Sequence, residues 1–365
     1  MASSQPQLAA GFEGSNSLLN ILEITKESLT AVPECYVRNI EQVQLPSDRS
    51  DKPTAIPTID MIKLLKGSED TDSAQLETLH STCKEWGVFQ LMNHGVSPML
   101  LEKLKYEIEE FFKLPLEEKM KYQIRPGDVE GYGSIVQNKE QKRDWGNRFY
   151  MIMNPIHRRK PYLFPELPSS LRNTLESYYL ELKHLAMELL GLLGKAVKID
   201  MKKIEELFED GMQSVRITYY PPCPQPEHVI GLTPHSDASG ITILHQLNGV
   251  DGLQIKKDGI WAPVNVLENA FVVNVGDIVE ILSNGVYKSM EHRVMVNSEK
   301  ERISIAIFFN PKFEAEIGPV ISLITPENPP LFKWIGMEKY VQDFFTRRKL
   351  DGRSYLEQMK LQNGN

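Results

Sequence analysis

The stretch Arg302-Ile-Ser-Ile-Ala-Ile-Phe-Phe309 alternates polar or small residues with isoleucine. A period of two is that of a β-strand. It puts Arg302, Ser304, Ala306 and Phe308 on one face and Ile303, Ile305, Ile307 and Phe309 on the other. An arginine facing a barrel interior is costly unless an anion meets it. A guanidinium beside a hydroxyl is well shaped to hold a carboxylate through two oxygens. Ser214-Val-Arg-Ile-Thr-Tyr-Tyr220 alternates in the same way, with Arg216, Thr218 and Tyr220 sharing a face. A Tyr220 hydroxyl on that face could donate to the same anion.

Upstream lies His235-Ser-Asp237, and between the two stretches lies His292. In an extended segment, residues i and i+2 point the same way, so His235 and Asp237 present a nitrogen and an oxygen to one point. His292 must reach it from a later strand. An HxD pair alone is common by chance. Two imidazoles and one carboxylate with no thiolate nearby suit a borderline metal such as Fe(II), and three ligands on one side leave the other side open.

These residues carry a resemblance. His235-Ser-Asp237, His292, Arg302-Ile-Ser304 and Tyr219-Tyr-Pro-Pro-Cys-Pro-Gln-Pro226 are similar to the plant Fe(II)/2-oxoglutarate-dependent dioxygenases. Cys83-Lys-Glu-Trp-Gly-Val-Phe-Gln-Leu-Met-Asn-His-Gly95 resembles the N-terminal region of that family. Asp128-Val-Glu-Gly-Tyr-Gly133, Pro221-Pro-Cys-Pro-Gln-Pro226 and Leu350-Asp-Gly-Arg-Ser-Tyr355 resemble the senescence-related and opiate O-demethylase-like subgroup. The likeness runs from about Ile56 to Leu356. It implies His235, Asp237 and His292 as iron ligands and catalytic centre. It implies Arg302, Ser304, Tyr220 and Thr218 around 2-oxoglutarate, with O2 as oxidant and ascorbate in support. The family usually reads Asn-Tyr-Tyr-Pro where this chain has Thr218-Tyr-Tyr-Pro221, so a hydroxyl stands in for an amide. The implied reaction hydroxylates a substrate carbon while 2-oxoglutarate becomes succinate and CO2. Hydroxylation of an O-methyl group ends in a free hydroxyl and formaldehyde. A halogenase usually lacks the carboxylate that Asp237 supplies here, which favours oxygenation. A zinc hydrolase or a non-catalytic receptor on the same scaffold is the alternative. Arg302-x-Ser304 argues against the first, because hydrolysis needs no 2-oxoacid anchor, and the complete triad argues against the second.

The implied substrate is a small aromatic plant metabolite, an alkaloid, flavonoid or other phenolic. Tyr132, Ile135, Phe149 and Phe308, with His245 beside them, are the expected walls. Phe344, Phe345 and Tyr355 are available to pack over the mouth. His94 has no second ligand near it in sequence and reads as a structural hydrogen-bonding residue.

The rest of the chain bounds this reading. Its 365 residues are 41% hydrophobic and 25% charged, ordinary for a globular protein with a sizeable core. A net charge of −8, with no basic cluster longer than Arg347-Arg-Lys349, argues against nucleic acid and anionic membrane as partners. Cys35, Cys83 and Cys223 form no CxxC pattern and point to a reduced, cytoplasmic compartment. The expected state is a monomer.

The expected organisation is an N-terminal extension (1–52), a helix-bearing N-terminal dioxygenase region (53–205), a jelly-roll Fe(II)/2-oxoglutarate core (206–312) and a C-terminal helical segment (313–365). The fold class is mixed α/β, mainly β: a double-stranded β-helix braced by helices. Core strands are expected at 214–220, 240–247, 253–257, 260–264, 270–275, 279–282, 287–296 and 302–309, with turns at Asp258-Gly259 and Ser283-Asn-Gly285. Helices are expected at 17–29 and 75–86, after a Ser97 cap with Pro98, at 171–197 as an outer brace, and at 338–350 and 354–361.

Overall fold

A computed structural model describes residues 21–25, 29, 31–39, 55–66, 69–134, 142–347 and 355–361. The tail, the 44–54 link, Ile135 and the Leu350-to-Ser354 stretch lie outside the described residues.

The period-two segments do form strands, and they assemble into a jelly roll. The larger sheet runs, edge to edge, through β1 (Thr58–Asp60), β2 (Val88–Met92), β10 (Phe271–Val275), β7 (Ile241–Gln246), β12 (Arg302–Phe309), β5 (Gln213–Tyr220), β4 (Asn147–Asn154) and β3 (Gly131–Tyr132). The smaller sheet holds β6 (Leu232–His235), β11 (His292–Val294), β8 (Leu253–Lys257) and β9 (Ile260–Pro263). β13 (Glu316–Ile317) and β14 (Ile335–Gly336) pair separately. Asp258 and Gly259, both at positive φ, make the tight β8–β9 hairpin.

Parity divides the larger sheet into two faces. On β12, Ile303, Ile305, Ile307 and Phe309 belong to the main apolar core with the helices. Helix Ser169–Ala196 packs across β7 and β12 and buries Leu175, Tyr178, Leu182, Leu185, Leu189 and Leu193, so it braces the barrel as expected. The opposite face looks into the barrel. A smaller cluster there joins Val88, Tyr220 and Val272 of one sheet to Leu232, Leu253, Ile255 and Val294 of the other.

Three local expectations are corrected. Residues 279–282 are not a strand but part of helix Asp277–Leu282. All six of its residues are buried, Asp277 and Glu280 included, and Val279-Glu-Ile281 alternates as a strand would. The expected 287–296 strand is only His292–Val294, and its partner Leu232–His235 was not foreseen. Ser97 makes no side-chain cap; its carbonyl accepts from the Leu101 amide at 3.1 Å, and Pro98 alone marks the helix start. Of the 17–29 helix, the described part is Ile21–Ile24. His94 stacks on Phe271 at 3.9 Å, and its Nε2 lies 3.2 Å from the Asn269 carbonyl, a structural role. Among the described residues, no helix is long and apolar enough to cross a membrane.

Glu130 is a buried carboxyl away from the barrel mouth, accepting the Ile152 amide at 2.7 Å. Burial pushes it up from 4.5 to about 7; Asp128 adds to the rise, while the Ile152 amide and Lys160 oppose it. The unfolded chain therefore loses this proton first. Stability falls as pH rises from the unfolded value to the folded one, and the penalty above both is about 3 kcal/mol. Glu130→Gln should raise Tm by a few degrees near pH ~8 and change it little near pH ~4. Thermal melts at both values test this, and an equal shift at both would rule out titration as the cause.

Candidate active site

The metal centre begins as a strand register. β11 pairs antiparallel with β6, so that His292 lies opposite His235. The ring centroids are 4.3 Å apart. Asp237 sits just past the end of β6, and its side chain still turns to the same point: Oδ1 is 3.8 Å from His235 Nε2 and 3.7 Å from His292 Nε2. One ligand atom from each residue lies within 4.8 Å of the other two.

Main-chain carbonyls set the tautomers. His235 Nδ1 lies 2.8 Å from the Thr233 carbonyl, and His292 Nδ1 lies 3.2 Å from that of Met290. A carbonyl only accepts, so each Nδ1 carries the hydrogen and each Nε2 lone pair points inward. Asn274 Nδ2 donates to Asp237 Oδ2 at 3.1 Å and leaves Oδ1 toward the imidazoles. The Asp237 carbonyl accepts the Asp277 amide at 2.8 Å, tying the ligand loop to the buried helix. Gly276 permits this docking, because a Cβ there would lie 2.1 Å from the Ser239 carbonyl.

Arg302 is 1% exposed and faces the barrel interior, in register with Tyr220 on β5. Its Nε donates to Gln246 Oε1 at 3.3 Å and its Nη1 to Ser304 Oγ at 3.2 Å. Nη2 is buried with no hydrogen-bond partner. The guanidinium carbon lies 5.4 Å from the Tyr220 ring centre. Burial lowers the pKa of Arg302, and Tyr220 and Asp251 work against that shift. A buried cation with an unmatched donor is the environment a carboxylate would satisfy. Ser304 is in register with Thr218, whose hydroxyl accepts from Arg216 Nε at 3.3 Å.

A cleft opens beside the triad. His235, Asp237, Ser214, Arg216 and Phe308 form its inner wall, Arg148 and Tyr150 of β4 one side, and Tyr340, Val341, Phe344 and Phe345 of helix Met337–Arg347 another. Arg302, Ser304, Thr218 and Tyr220 are not among its lining residues; they continue the same sheet face beyond it.

A sequence profile described as the 2OG-Fe(II) oxygenase superfamily matches residues 211–311. A second, described as the non-haem dioxygenase in morphine synthesis N-terminal, matches residues 56–168. The chain is 48% identical to an oxoglutarate-dependent flavonoid 7-O-demethylase of Ocimum basilicum, over 94% of this chain and 91% of that one. It is 47% identical to codeine O-demethylase of Papaver somniferum and 46% identical to protein SRG1 of Arabidopsis thaliana, each over 94% of this chain and 96% of the relative. The crystal structure of JOX2 in complex with 2OG, Fe and JA superposes with a TM-score of 0.83 at 33% identity, covering 94% of this chain and 98% of that one. The chain belongs to the 2OG-Fe(II) oxygenase superfamily.

The oxygenase uses Fe(II) and 2-oxoglutarate, and its own residues fit both. The nitrogen, nitrogen and oxygen donors suit Fe(II), and the unmatched Nη2 of Arg302 suits a carboxylate. The expected substrate wall needs correction. Phe149 stacks on Phe111 at 5.1 Å, and Tyr132 lies edge-on to Phe111. Both sit on the sheet face that packs against helix Pro98–Lys113, and neither lines the cleft. His245 also faces away, near Tyr178 and Phe271, where burial pushes its pKa down to about 4. Tyr355 packs on Tyr340, outside the cleft lining. Phe308 does line it, and so do Phe344 and Phe345.

Tyr150, named in the sequence with Tyr132, Trp145 and Phe149 as an aromatic that could wall the substrate or merely cover the core, does line the cleft; Arg148, Met212, Tyr340 and Val341 were missed. The signal for Arg148 was present: in Asn147-Arg-Phe-Tyr-Met-Ile-Met153, Arg148 and Tyr150 share one parity and Phe149 the other. Asn274 was also missed. Asn274→Ala should weaken Fe(II) or Mn(II) affinity of the oxygenase about 10- to 100-fold while the fold is retained. Calorimetric metal titration with circular dichroism checks this, and an unchanged affinity would show that Asp237 needs no such support.

Proposed function

We propose that the oxygenase acts on a small aromatic metabolite of plant specialised metabolism, by O-demethylation or by hydroxylation of a ring system. The observation that carries this reading is the buried, unmatched donor of Arg302 on the same sheet face as an aromatic cleft that opens at the metal triad. O-demethylation is the preferred reaction, supported by relatives named as O-demethylases at 47–48% identity.

His235, Asp237 and His292 hold iron from one side. Arg302 and Ser304 receive the distal carboxylate of 2-oxoglutarate, and the hydroxyls of Tyr220 and Thr218 face the same seat. When bound, iron and 2-oxoglutarate together supply the oxidising power, with O2 consumed, succinate and CO2 released and one oxygen delivered to substrate carbon. The protein's part is positioning and exclusion of water. Tyr150, Phe308, Phe344 and Phe345 offer flat or edge contacts to an aromatic ring, and helix Met337–Arg347 walls the cleft from solvent.

Asp237→Ala should abolish turnover while the fold survives; oxidation at the wild-type rate would remove the triad from the mechanism. Arg302→Leu should weaken 2-oxoglutarate roughly 10²-fold or more, since a buried ionic partner is lost. An unchanged affinity would reject the anchor. For the reaction itself, a panel of methoxylated and unmethoxylated plant aromatics should yield succinate and formaldehyde together with the methoxylated members. Succinate without formaldehyde from those members would replace demethylation with hydroxylation.

A further inference from the structure

Helix Asp277–Leu282 carries two carboxyls into the core: Asp277 is 0% exposed and Glu280 7%. Three residues apart, they face the same side of the helix. A buried carboxyl is costly unless it is hydrogen-bonded, and an apolar residue would fill either place without that cost. Their partners lie in the two segments that bring the ligands together. Ser236 Oγ donates to Asp277 Oδ2 at 3.2 Å, and Ser236 is the residue between His235 and Asp237. The Ser289 amide donates to Glu280 Oε2 at 2.6 Å, and the carbonyl of the next residue, Met290, orients His292.

Both grips fall where the chain has left its strands. Residues 236–240 join β6 to β7, and residues 283–291 lead from the helix into β11. The β-ladders stop short of Ser236 and Ser289, so other groups must hold them. The first turn of the helix helps, since its leading amides have no partner within the helix. The Asp277 amide donates to the Asp237 carbonyl at 2.8 Å and the Ile278 amide to the Ser239 carbonyl at 3.0 Å. Asn274 steadies Asp237 alone. The helix does more, because one short rigid body touches both halves of the triad. Neither carboxyl belongs to the ligand cluster itself, so each acts through the segment it holds.

We propose that Asp277 and Glu280 are positioning residues for the metal centre. They staple the loop of His235 and Asp237 to the segment that delivers His292, and so hold the three donor atoms together before the metal arrives. The inference rests on the reading of those three residues as the iron ligands. A site held in advance loses less freedom on binding than one that must assemble around the ion. Removing either carboxyl leaves the His292–His235 pairing in place but loosens the side-chain ends of the triad, so the loss falls on metal affinity.

The test titrates Mn(II) into the full-length protein in a calorimeter, with Tm followed on the same samples. The wild type should bind the ion and Asp237→Ala should not; if both bind alike, the triad reading fails and the staple with it. Asp277→Ala and Glu280→Ala should each weaken Mn(II) about tenfold or more. Asp277→Asn and Glu280→Gln keep an acceptor oxygen and should stay within about threefold of the wild type. Ser236→Ala removes only a hydroxyl; it should weaken the ion about threefold or more, and it decides the matter if the other alanine variants do not fold. Leu189→Ala, a cavity in the buried face of the brace helix, should lower Tm and leave Mn(II) affinity unchanged. Wild-type affinity in Asp277→Ala, Glu280→Ala or Ser236→Ala overturns the staple. An affinity that falls as far in Leu189→Ala also overturns it, since lost stability would then be the whole effect. Asn and Gln variants as weak as the alanine ones overturn it too, by removing the hydrogen bond as the cause.

Discussion

The pairing of His292 with His235 across β11 and β6 is the constraint on which the site depends. The ladder shifts register between His292 and Val294, so Leu232 and His235, three residues apart, pair with residues only two apart; a further slip of one residue would turn one imidazole out of the barrel. The register is fixed from several sides. Val294 pairs with Leu232 on β6 and Leu253 on β8, and all three are buried in the small cluster between the sheets. Moving His292 would therefore expose apolar surface and break the backbone ladder together. The imidazole positions are a by-product of core packing that would have to hold in any case. The carbonyls of Thr233 and Met290 then choose which nitrogen is free.

The same logic explains how a guanidinium survives inside the barrel. Arg302 shares its strand with three isoleucines of opposite parity, buried against the helices. Their burial dictates that Arg302 points inward. Gly252 leaves room for it, since a Cβ there would lie 3.1 Å from Arg302 Cδ and 2.5 Å from the Met295 carbonyl. An inward arginine with a spare donor destabilises the fold with the seat empty, and a bound dicarboxylate removes that cost. With Arg302 as the proposed anchor, cosubstrate binding and fold stability would be linked through one side chain.

Parity was legible in the sequence wherever a strand carried a clean alternation. Arg302–Phe309 and Ser214–Tyr220 were read correctly as to face, and the histidines and Asp237, which the family resemblance singled out, do converge. The reading failed where parity was masked. On β4 both parities carry aromatics, and choosing Phe149 for its ring rather than its phase put the substrate wall on the wrong side of the sheet. Helix Asp277–Leu282 has only six residues, and its Val279-Glu-Ile281 alternates like a strand, so its helical period did not show. β6 was hidden because Leu-Thr-Pro-His carries a proline and only one apolar residue. Asn274 is an ordinary polar residue within an otherwise apolar strand, and only the coordinates reveal that it holds Asp237.

The division of the inner face has a consequence for how such an oxygenase changes substrate. β12 and β5 carry the residues nearest the cosubstrate seat in the middle of the larger sheet, each flanked by strands on both sides. β4 lies next to the sheet edge, and helix Met337–Arg347 lies outside the sheets altogether. Exchanging Tyr150, Val341 or Phe345 would alter the cleft without touching the His292–His235 register or the Arg302 seat, whereas Arg148 lies directly beside Thr218 in the rung of Ser304. Exchanging Arg216 is different, because it bonds Thr218 in the rung of Ser304. On the proposed reading, the cleft can therefore change at Tyr150 and on the C-terminal helix alone, while a change at Arg216 reaches the cosubstrate seat through Thr218.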